Sequence, residues 1–330
     1  MQSSARRGLA LAAVSAATFG TSGVFASALI DAGWSPAAAV TARIGVAALV
    51  LTGPALVALR GRLQLLRRGA GAVVAYGLVG VAGAQLCYFN ALQHLSVAVA
   101  LLIEYLGTVL VVGWVWLRYR RPPRRLTVAG TAAAVVGLLL VLDLTGDQRL
   151  DLVGVLWAAV AAVALATYFV LSARAHDPLP PVVTVWGGMV VAAVALLALD
   201  AAGVLDARIG AHTVTLGDLR VSWLVPVLGL SVVAAAVAYL TGIAAARRLG
   251  ATVASFVGLT EVVFAVLFAW WFLGQVPGLV QVLGGALIVG GAALVRVDEV
   301  RGAARADAHG EDPAAAGLVV AVDNQDGGVR

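Results

Sequence analysis

Long apolar runs recur along the chain and constrain its fold more than any other feature of the sequence. A helix of about 20 apolar residues crosses the roughly 30 Å hydrocarbon core of a bilayer, where the backbone must satisfy its own hydrogen bonds. Only 12% of the residues are charged and the mean hydropathy is +0.99, so polar residues are too few to cover a water-soluble protein of this size. We therefore predict an all-α integral membrane protein with ten spans, at residues 8–30, 36–59, 70–92, 96–117, 126–143, 152–173, 181–202, 222–245, 251–273 and 278–296.

The basic residues lie almost entirely on one side of these spans. All 22 are Arg; if the N-terminus is cytoplasmic, eighteen lie in inner segments and one, Arg43, lies within a span. The outer segments hold the other three, which are Arg149, Arg208 and Arg220. This asymmetry predicts a multi-pass protein of the cytoplasmic (inner) membrane with both termini in the cytoplasm. Because the arginines flank spans, the net charge of +5 does not indicate a nucleic-acid partner.

Several classes of chemistry are excluded by the residues that the sequence lacks. The chain has no Lys and no P-loop, so neither a Schiff base nor direct use of ATP is predicted. A single cysteine, Cys87, forms no intrachain disulfide and no Cys-based metal site. The four His residues do not have the spacing of metal ligands. We predict no cofactor, no metal and no catalytic residue.

The two halves of the chain resemble each other. A shift of 154 residues places the fourth span on the ninth, so that Trp116 meets Trp270 and Pro123 meets Pro277. Five spans per copy is an odd number, so the second copy must enter the membrane upside down. We predict two inverted five-helix repeats, at 1–148 and 149–296, followed by a disordered cytoplasmic tail at 297–330. Inverted repeats are typical of secondary transporters.

The motifs YFNALQHLSVAVALLIEYLGTVL and YLTGIAAARRLGATVASFVGLTEVVFAVLFAWWFLGQ, together with TARIGVAAL around Arg43, resemble the EamA type of the drug/metabolite transporter superfamily. The resemblance covers residues 8 to 296 and implies transport of amino acids and related metabolites, in either direction. Family members often carry Pro in the middle of the fourth and ninth spans. This chain has Gly107 or Thr108 at one place and Glu261 or Val262 at the other, which puts a Pro-kinked gating helix in doubt.

Three ionisable residues lie inside predicted spans. Glu104 and Glu261 fall near the middle of the fourth and ninth spans, and Arg43 falls about 10 Å from the outer end of the second. Such groups are costly in lipid and usually functional. They could hold a charged or zwitterionic solute, with either acid a candidate for carrying a proton. The alternative is structural, with Arg43 and Glu104 as a fixed pair and Glu261 as a protonated packing residue.

Further polar and aromatic residues within spans could line a solute site. The alternative for Tyr and Trp near span ends is that they anchor the protein at the membrane interface. These weaker candidates are Gln85, Tyr88, Asn90, Tyr168, Trp186 and Tyr239.

The sequence as a whole predicts a secondary transporter, not an enzyme, that exports small polar or amphipathic metabolites such as amino acids by alternating access. Its partners are then a small-molecule substrate and the lipid bilayer, with proton coupling and a homodimer left open. A membrane-embedded enzyme for a lipid-linked substrate and a non-transporting partner subunit are the alternative functions. The 203–221 loop has room for a short strand or turn around AHTVTLGD.

Overall fold

The structure is a computed structural model that describes residues 2–60, 63–95, 97–120, 122–142, 151–173, 179–217, 219–274 and 276–308. The helices of the first half are α1 (Gln2–Gly20), α2 (Ser22–Asp31), α3 (Pro36–Leu59), α4 (Leu63–Ala75), the π-helical segment π1 (Tyr76–Gly83), α5 (Ala84–Leu92), α6 (Val97–Tyr105), α7 (Gly107–Tyr119) and α8 (Arg125–Val141). The second half holds α9 (Leu152–Ser172), α10 (Pro181–Ala201), β1 (Thr213–Leu216), β2 (Leu219–Ser222), α11 (Leu224–Leu228), π2 (Gly229–Val237), α12 (Ala238–Gly258), α13 (Thr260–Leu273) and α14 (Leu279–Ala308).

Eight helices in the described residues are long and apolar enough to cross a membrane, and two shorter apolar helices, Arg125–Val141 and Thr260–Phe272, accompany them. One of the eight, Leu224–Gly258, covers the predicted eighth span and the start of the ninth. The two are separated at Gly250, whose φ of +77° and ψ of 166° are not helical. Only Gly adopts this conformation without strain, so the predicted boundary coincides with a real break in the backbone.

Polar caps and prolines begin several of these helices. Pro36 and Pro181 each occupy the first turn of a helix, where the missing N–H costs nothing. Ser35 caps α3 by accepting a hydrogen bond from the Ala38 N–H at 3.2 Å. Asp151 caps α9 through the Val153 N–H at 2.9 Å and also contacts His94 Nδ1 at 2.8 Å. These signals explain why the predicted starts of the second, sixth and seventh spans agree with the observed starts of α3, α9 and α10.

The loops contact one another in two separate sets. In one set, Arg247 donates to the Leu179 carbonyl at 2.8 Å and Arg124 donates to the Asp298 carbonyl at 3.3 Å. In the other, the Ser35 N–H donates to the Arg208 carbonyl at 2.9 Å. Each contact joins segments that the arginine distribution predicts to lie on the same side of the membrane.

Glycines bring α8 and α14 into backbone contact. A Cβ added to Gly291 would lie 2.5 Å from the Gly130 carbonyl oxygen, and one added to Gly137 would lie 2.6 Å from that of Gly284. Since the earlier glycine of α8 meets the later glycine of α14, the two helices run antiparallel. Gly130 and Gly284 are 154 positions apart, as are Gly137 and Gly291, so the glycines of one contact are the repeat counterparts of those of the other.

The two π-helical segments also occupy corresponding places in the halves. Tyr76 and Gly229, at which they begin, are 153 positions apart. π1 packs against α10 and π2 packs against α3, so each segment contacts a helix of the other half. The largest buried cluster lies at these contacts and includes Ile44, Met189 and Ile243.

The last helix extends further than the sequence predicts. α14 continues through Val297 to Ala308, where we predicted a disordered tail. Asp298 is only 6% exposed and accepts hydrogen bonds from the Thr127 N–H at 3.2 Å and the Thr127 hydroxyl at 2.6 Å. This contact joins the start of the predicted tail to the first turn of α8, while residues 309–330 lie outside the described part.

The 203–221 loop contains the only strands in the described residues. β1 and β2 form an antiparallel hairpin in which Thr213 pairs with Ser222 and Leu216 with Leu219. Gly217, with a φ of +58°, lies at its turn. The short strand that the sequence allowed at AHTVTLGD is therefore confirmed.

Adjacent glycines of α14 provide a matched test of the α8–α14 contact. We expect Gly291→Ala to lower the free energy of unfolding by about 1–3 kcal/mol, because its methyl group would overlap the Gly130 backbone. Gly290→Ala is the control, since nothing lies within 4 Å of its added Cβ. Thermal unfolding in detergent measures both, and equal melting temperatures for the two variants would contradict the contact.

The cap of α9 should make stability depend on pH. The Val153 N–H, and then the His94 ring, lower the pKa of the Asp151 carboxyl below its usual value. A carboxyl whose pKa is lower in the folded state stabilises the protein above its unfolded pKa, and this contribution is lost as the pH falls through the folded pKa. We expect Asp151→Ala to lower the melting temperature at neutral pH and to differ less from the parent at acidic pH.

Asp206→Ala serves as the control for that measurement. Asp206 pairs with Arg208 at 3.0 Å, but both side chains are more than 70% exposed. Surface pairs of this kind contribute little to stability. A loss of stability as large in this control, or one independent of pH at Asp151, would refute the capping role.

Candidate functional site

Two adjoining cavities occupy the centre of the described helices. One has a volume of about 220 Å³ and the other about 570 Å³. Both halves of the chain line them. The larger extends along α2, α3 and α13 toward the end of the bundle at which the β1–β2 hairpin lies, here called the hairpin side. The residues shared by both are Phe19, Ser22, Arg43, Gln85, Tyr88, Leu101, Tyr105 and Glu261.

Seven of the nine residues predicted for a solute site line the smaller cavity. They are Arg43, Gln85, Tyr88, Glu104, Tyr168, Tyr239 and Glu261. The structure places the other two elsewhere. Asn90 donates to the Leu86 carbonyl of its own helix at 2.8 Å, and Trp186 donates its indole N–H to the Thr52 hydroxyl at 3.0 Å. Trp186 thus joins α10 to α3 and does not face the cavity.

Arg43 is held in the cavity wall by contacts with both halves. Its side chain is buried, and it donates from one terminal nitrogen to the Ala234 carbonyl of π2 at 2.5 Å. Its guanidinium carbon lies 5.8 Å from the centre of the Phe19 ring, a cation–π distance. Nε has no hydrogen-bond partner in the described residues. A rigid, incompletely paired guanidinium beside a cavity is suited to binding a carboxylate.

The two acids lie beside short irregularities in the helical hydrogen bonding. α6 ends one residue after Glu104 and α13 begins one residue before Glu261, with Leu106 and Leu259 between the helical pieces. At both places the backbone closes a shorter turn, because Val109 N–H bonds the Leu106 carbonyl at 2.9 Å and Val262 N–H bonds that of Leu259 at 3.1 Å. Leu106 and Leu259 keep right-handed helical dihedral angles, so the helix is tightened locally, not interrupted, near the family's usual Pro positions.

Neither acid is paired with Arg43 in a salt bridge. All three side chains are described, and no ion pair of 4.0 Å or less joins them. Tyr105 lies within hydrogen-bonding reach of Glu261 and so approaches one acid from the helix of the other. The fixed Arg43–Glu104 pair that the sequence left open is absent from this arrangement.

Aromatic rings close the floor of the smaller cavity. Phe19 meets Tyr239 edge to face at 4.9 Å, and Tyr239 meets Tyr168 in the same way at 5.6 Å between ring centres. Gly242 makes room for this cluster, because a Cβ there would lie 2.6 Å from the Tyr168 hydroxyl. The floor offers ring edges and hydroxyls to a solute, and the packing fixes their positions.

Sequence reasoning missed several lining residues. Ser15, Phe19 and Ser22 are spaced by four and three positions on the first span, so they share one helix face. That polar and aromatic stripe was visible in the sequence. Tyr105 also lines both cavities, but it gave no such signal in the sequence.

The two cavities differ in polarity. The smaller contains both acids, Arg43 and the tyrosines, whereas the larger adds mostly apolar side chains. The apolar additions include Ile30, Val40, Leu142 and Val266. A bound molecule would therefore meet charges at one end and hydrocarbon at the other.

Comparison with known proteins identifies the class of this membrane protein. The EamA-like transporter family matches residues 6–143 and again residues 152–297. The chain belongs to this family, and its duplicated match agrees with the two halves seen in the sequence.

Individual relatives add the fold but not a substrate. The uncharacterized transporter YdfC of Bacillus subtilis (strain 168) is 30% identical over 166 residues, which cover 49% of this chain and 50% of YdfC. The chain thus spans about half the length of that curated relative. A protein of known crystal structure has the same fold, with a TM-score of 0.72 and 24% identity over 88% of this chain and 97% of the other.

Proposed function

We propose that the protein is a secondary transporter that exports small amphipathic or zwitterionic metabolites, such as amino acids, by alternating access. The observation that carries this proposal is the central cavity, which is built from both halves and lined by Arg43, Glu104 and Glu261. Intramembrane ionisable groups that face a cavity are usually part of a solute or ion path. The general function of the family supports transport, and export is our proposal for its direction, because the resemblance covers transport in either direction.

The proposed architecture has ten spans in two inverted repeats. Three observations support it: the family match occurs twice, α8 and α14 meet antiparallel through equivalent glycines, and π1 and π2 contact corresponding helices of the opposite half. The two apolar helices below the length of a full span then cross the membrane together with their flanking residues. Opposed copies of one unit can exchange conformations around a shared site, which is the basis of alternating access.

The chemistry of the lining suggests how a solute would bind. A carboxylate would accept hydrogen bonds from Arg43, whose guanidinium is already held in place by Ala234. A cationic group would lie near Glu261 or Glu104, and an apolar substituent would extend into the larger cavity. Either acid, when not neutralised by the solute, could take up a proton and couple transport to a proton gradient.

We propose transport rather than catalysis on the placement of the acids. A membrane enzyme for a lipid-linked substrate needs acids, bases or metal ligands near a headgroup. Here Glu104 and Glu261 lie near the middle of the predicted fourth and ninth spans, and no group of three His, Cys, Asp or Glu within the described residues could hold a metal ion. A non-transporting subunit would have no need of these buried charges.

Overproducing cells provide the direct test of this function. We expect solutes of the transported class to shift from cells to medium with the parent protein, and Arg43→Gln and Glu261→Gln to reduce that shift tenfold or more. Trp186→Phe is the matched control, because Trp186 lies outside the cavity lining. Metabolite profiling of cells and medium measures the effect, and an unchanged profile with the parent would refute export.

The proposed orientation has both termini in the cytoplasm of a cell with an inner membrane. Reporters fused after Ala308 distinguish the two sides: a green fluorescent protein should fluoresce there, and a periplasmic alkaline phosphatase should be inactive. The reverse pattern would contradict the arrangement that the arginine distribution predicts.

A further inference from the structure

The two ends of the cavity are closed to different degrees. At the end of the cavity nearest Arg247 and Arg248, here called the Arg-rich end, α12 packs against α9. Ala251 and Ala254 belong to the same buried cluster as Ala166 of α9. Gly258 contacts the Phe169 ring so closely that a Cβ there would lie 2.9 Å from Cζ. These contacts hold α12 and α9 together on that side of the cavity.

At the hairpin-side end, the corresponding contact between α6 and the first span is not made. The repeat counterpart of the 251–258 segment is α6, and the counterpart of α9 is the first span, α1 and α2. Within the described part of the chain, α6 packs mainly on α9 and α5 and forms no comparable contact with α1 or α2. The larger cavity lies between them and has Leu101 on one side and Ser27 on the other.

Residue correspondence shows what would meet if this gap closed in the same way. The shift of 154 positions places Glu104 on Gly258. The sequences Ala17–Thr18–Phe19 and Ala166–Thr167–Tyr168 align the first and sixth spans and place Gly20 on Phe169. Closure of the hairpin-side end would therefore bring Glu104 against Gly20, as Gly258 now lies against Phe169.

We propose that Glu104 governs closure of this end, and that the gap closes only when its carboxylate carries a proton. The proposal rests on the proposed function and assigns the coupling role to Glu104 rather than to Glu261. A carboxylate enclosed between α6 and the first span would lose its contact with the cavity, and an unpaired buried charge is strongly unfavourable.

No cation is positioned to compensate that charge among the described residues. The titratable or charged groups on the elements around Glu104 are Cys87, Tyr88, Tyr105, Tyr168, Tyr239, Glu261 and Arg43. All but Arg43 are neutral or acidic, and Arg43 forms no ion pair of 4.0 Å or less with Glu104. A proton is thus the simplest way to make closure favourable.

The opposite end has no such requirement. Its gate position is Gly258, which carries no side chain and cannot titrate. Closure should therefore depend on pH at the hairpin side and not at the Arg-rich side. Because Glu104 can titrate and Gly258 cannot, only closure of the hairpin-side end would require a proton. The exchange between the two conformations would then be coupled to proton uptake.

Distances between spin labels test the proposal without a known solute. In a Cys87→Ser background, nitroxides are placed at Ile30→Cys and Gln93→Cys, which are exposed positions at the hairpin-side ends of α2 and α5. Pulsed electron resonance of the reconstituted protein at alkaline and acidic pH then reports the gap. We expect a shorter distance population to grow at acidic pH in the parent.

Glu104→Gln should show that shorter population at both pH values, so that the pH-dependent shift is lost. Glu261→Gln, the matched control, should keep the shift. The proposal is overturned by a parent that does not respond to pH, by a Glu104→Gln variant that still responds, or by a shift that needs an added amine rather than acid. Export in overproducing cells could persist in each of these cases, so failure here is distinct from failure of the proposed function.

Discussion

Backbone-to-backbone contact through glycine is the interaction on which this bundle depends. In lipid, apolar side chains gain little from leaving their surroundings, so helices associate through close packing of small residues. Gly130 with Gly291, and Gly137 with Gly284, let α8 and α14 touch along their length. Gly242 does the same for the aromatic floor of the cavity. The positions of the functional side chains follow from these contacts.

The charges are arranged asymmetrically on this nearly symmetric frame. Glu104 and Glu261 lie three positions apart in the aligned repeats, and each corresponds to a glycine in the other half. Gly107, the counterpart of Glu261, faces the Ala162 carbonyl at a distance that excludes a side chain. Packing thus permits each acid in one half only, and duplication of the fold does not duplicate the site.

Much of the fold could be predicted from the sequence, because hydrophobic length, Pro and arginine placement act locally. The start of α3 at Pro36 and the break at Gly250 are examples. Contacts between distant helices could not be predicted in the same way. The hydrogen bond between the Thr127 hydroxyl and the Asp298 carboxylate joins residues that are 171 positions apart, so no local pattern predicts it.

The site shows the same division. Seven of nine predicted residues line one cavity, since polar groups within a span are costly in lipid and therefore face the interior of the bundle. Trp186 was predicted from its residue type, but its orientation depends on the neighbouring Thr52. Tyr105 was overlooked because the sequence does not show which side of the fourth span faces the cavity.

The contact between Asp298 and Thr127 has a practical consequence for shortened versions of this chain. The family match ends at residue 297, one position before the carboxylate that holds the first turn of α8. A truncation drawn at that boundary would remove this contact together with the last residues of the candidate span Leu279–Gly302. Expression designs that retain the helix to Ala308 preserve it.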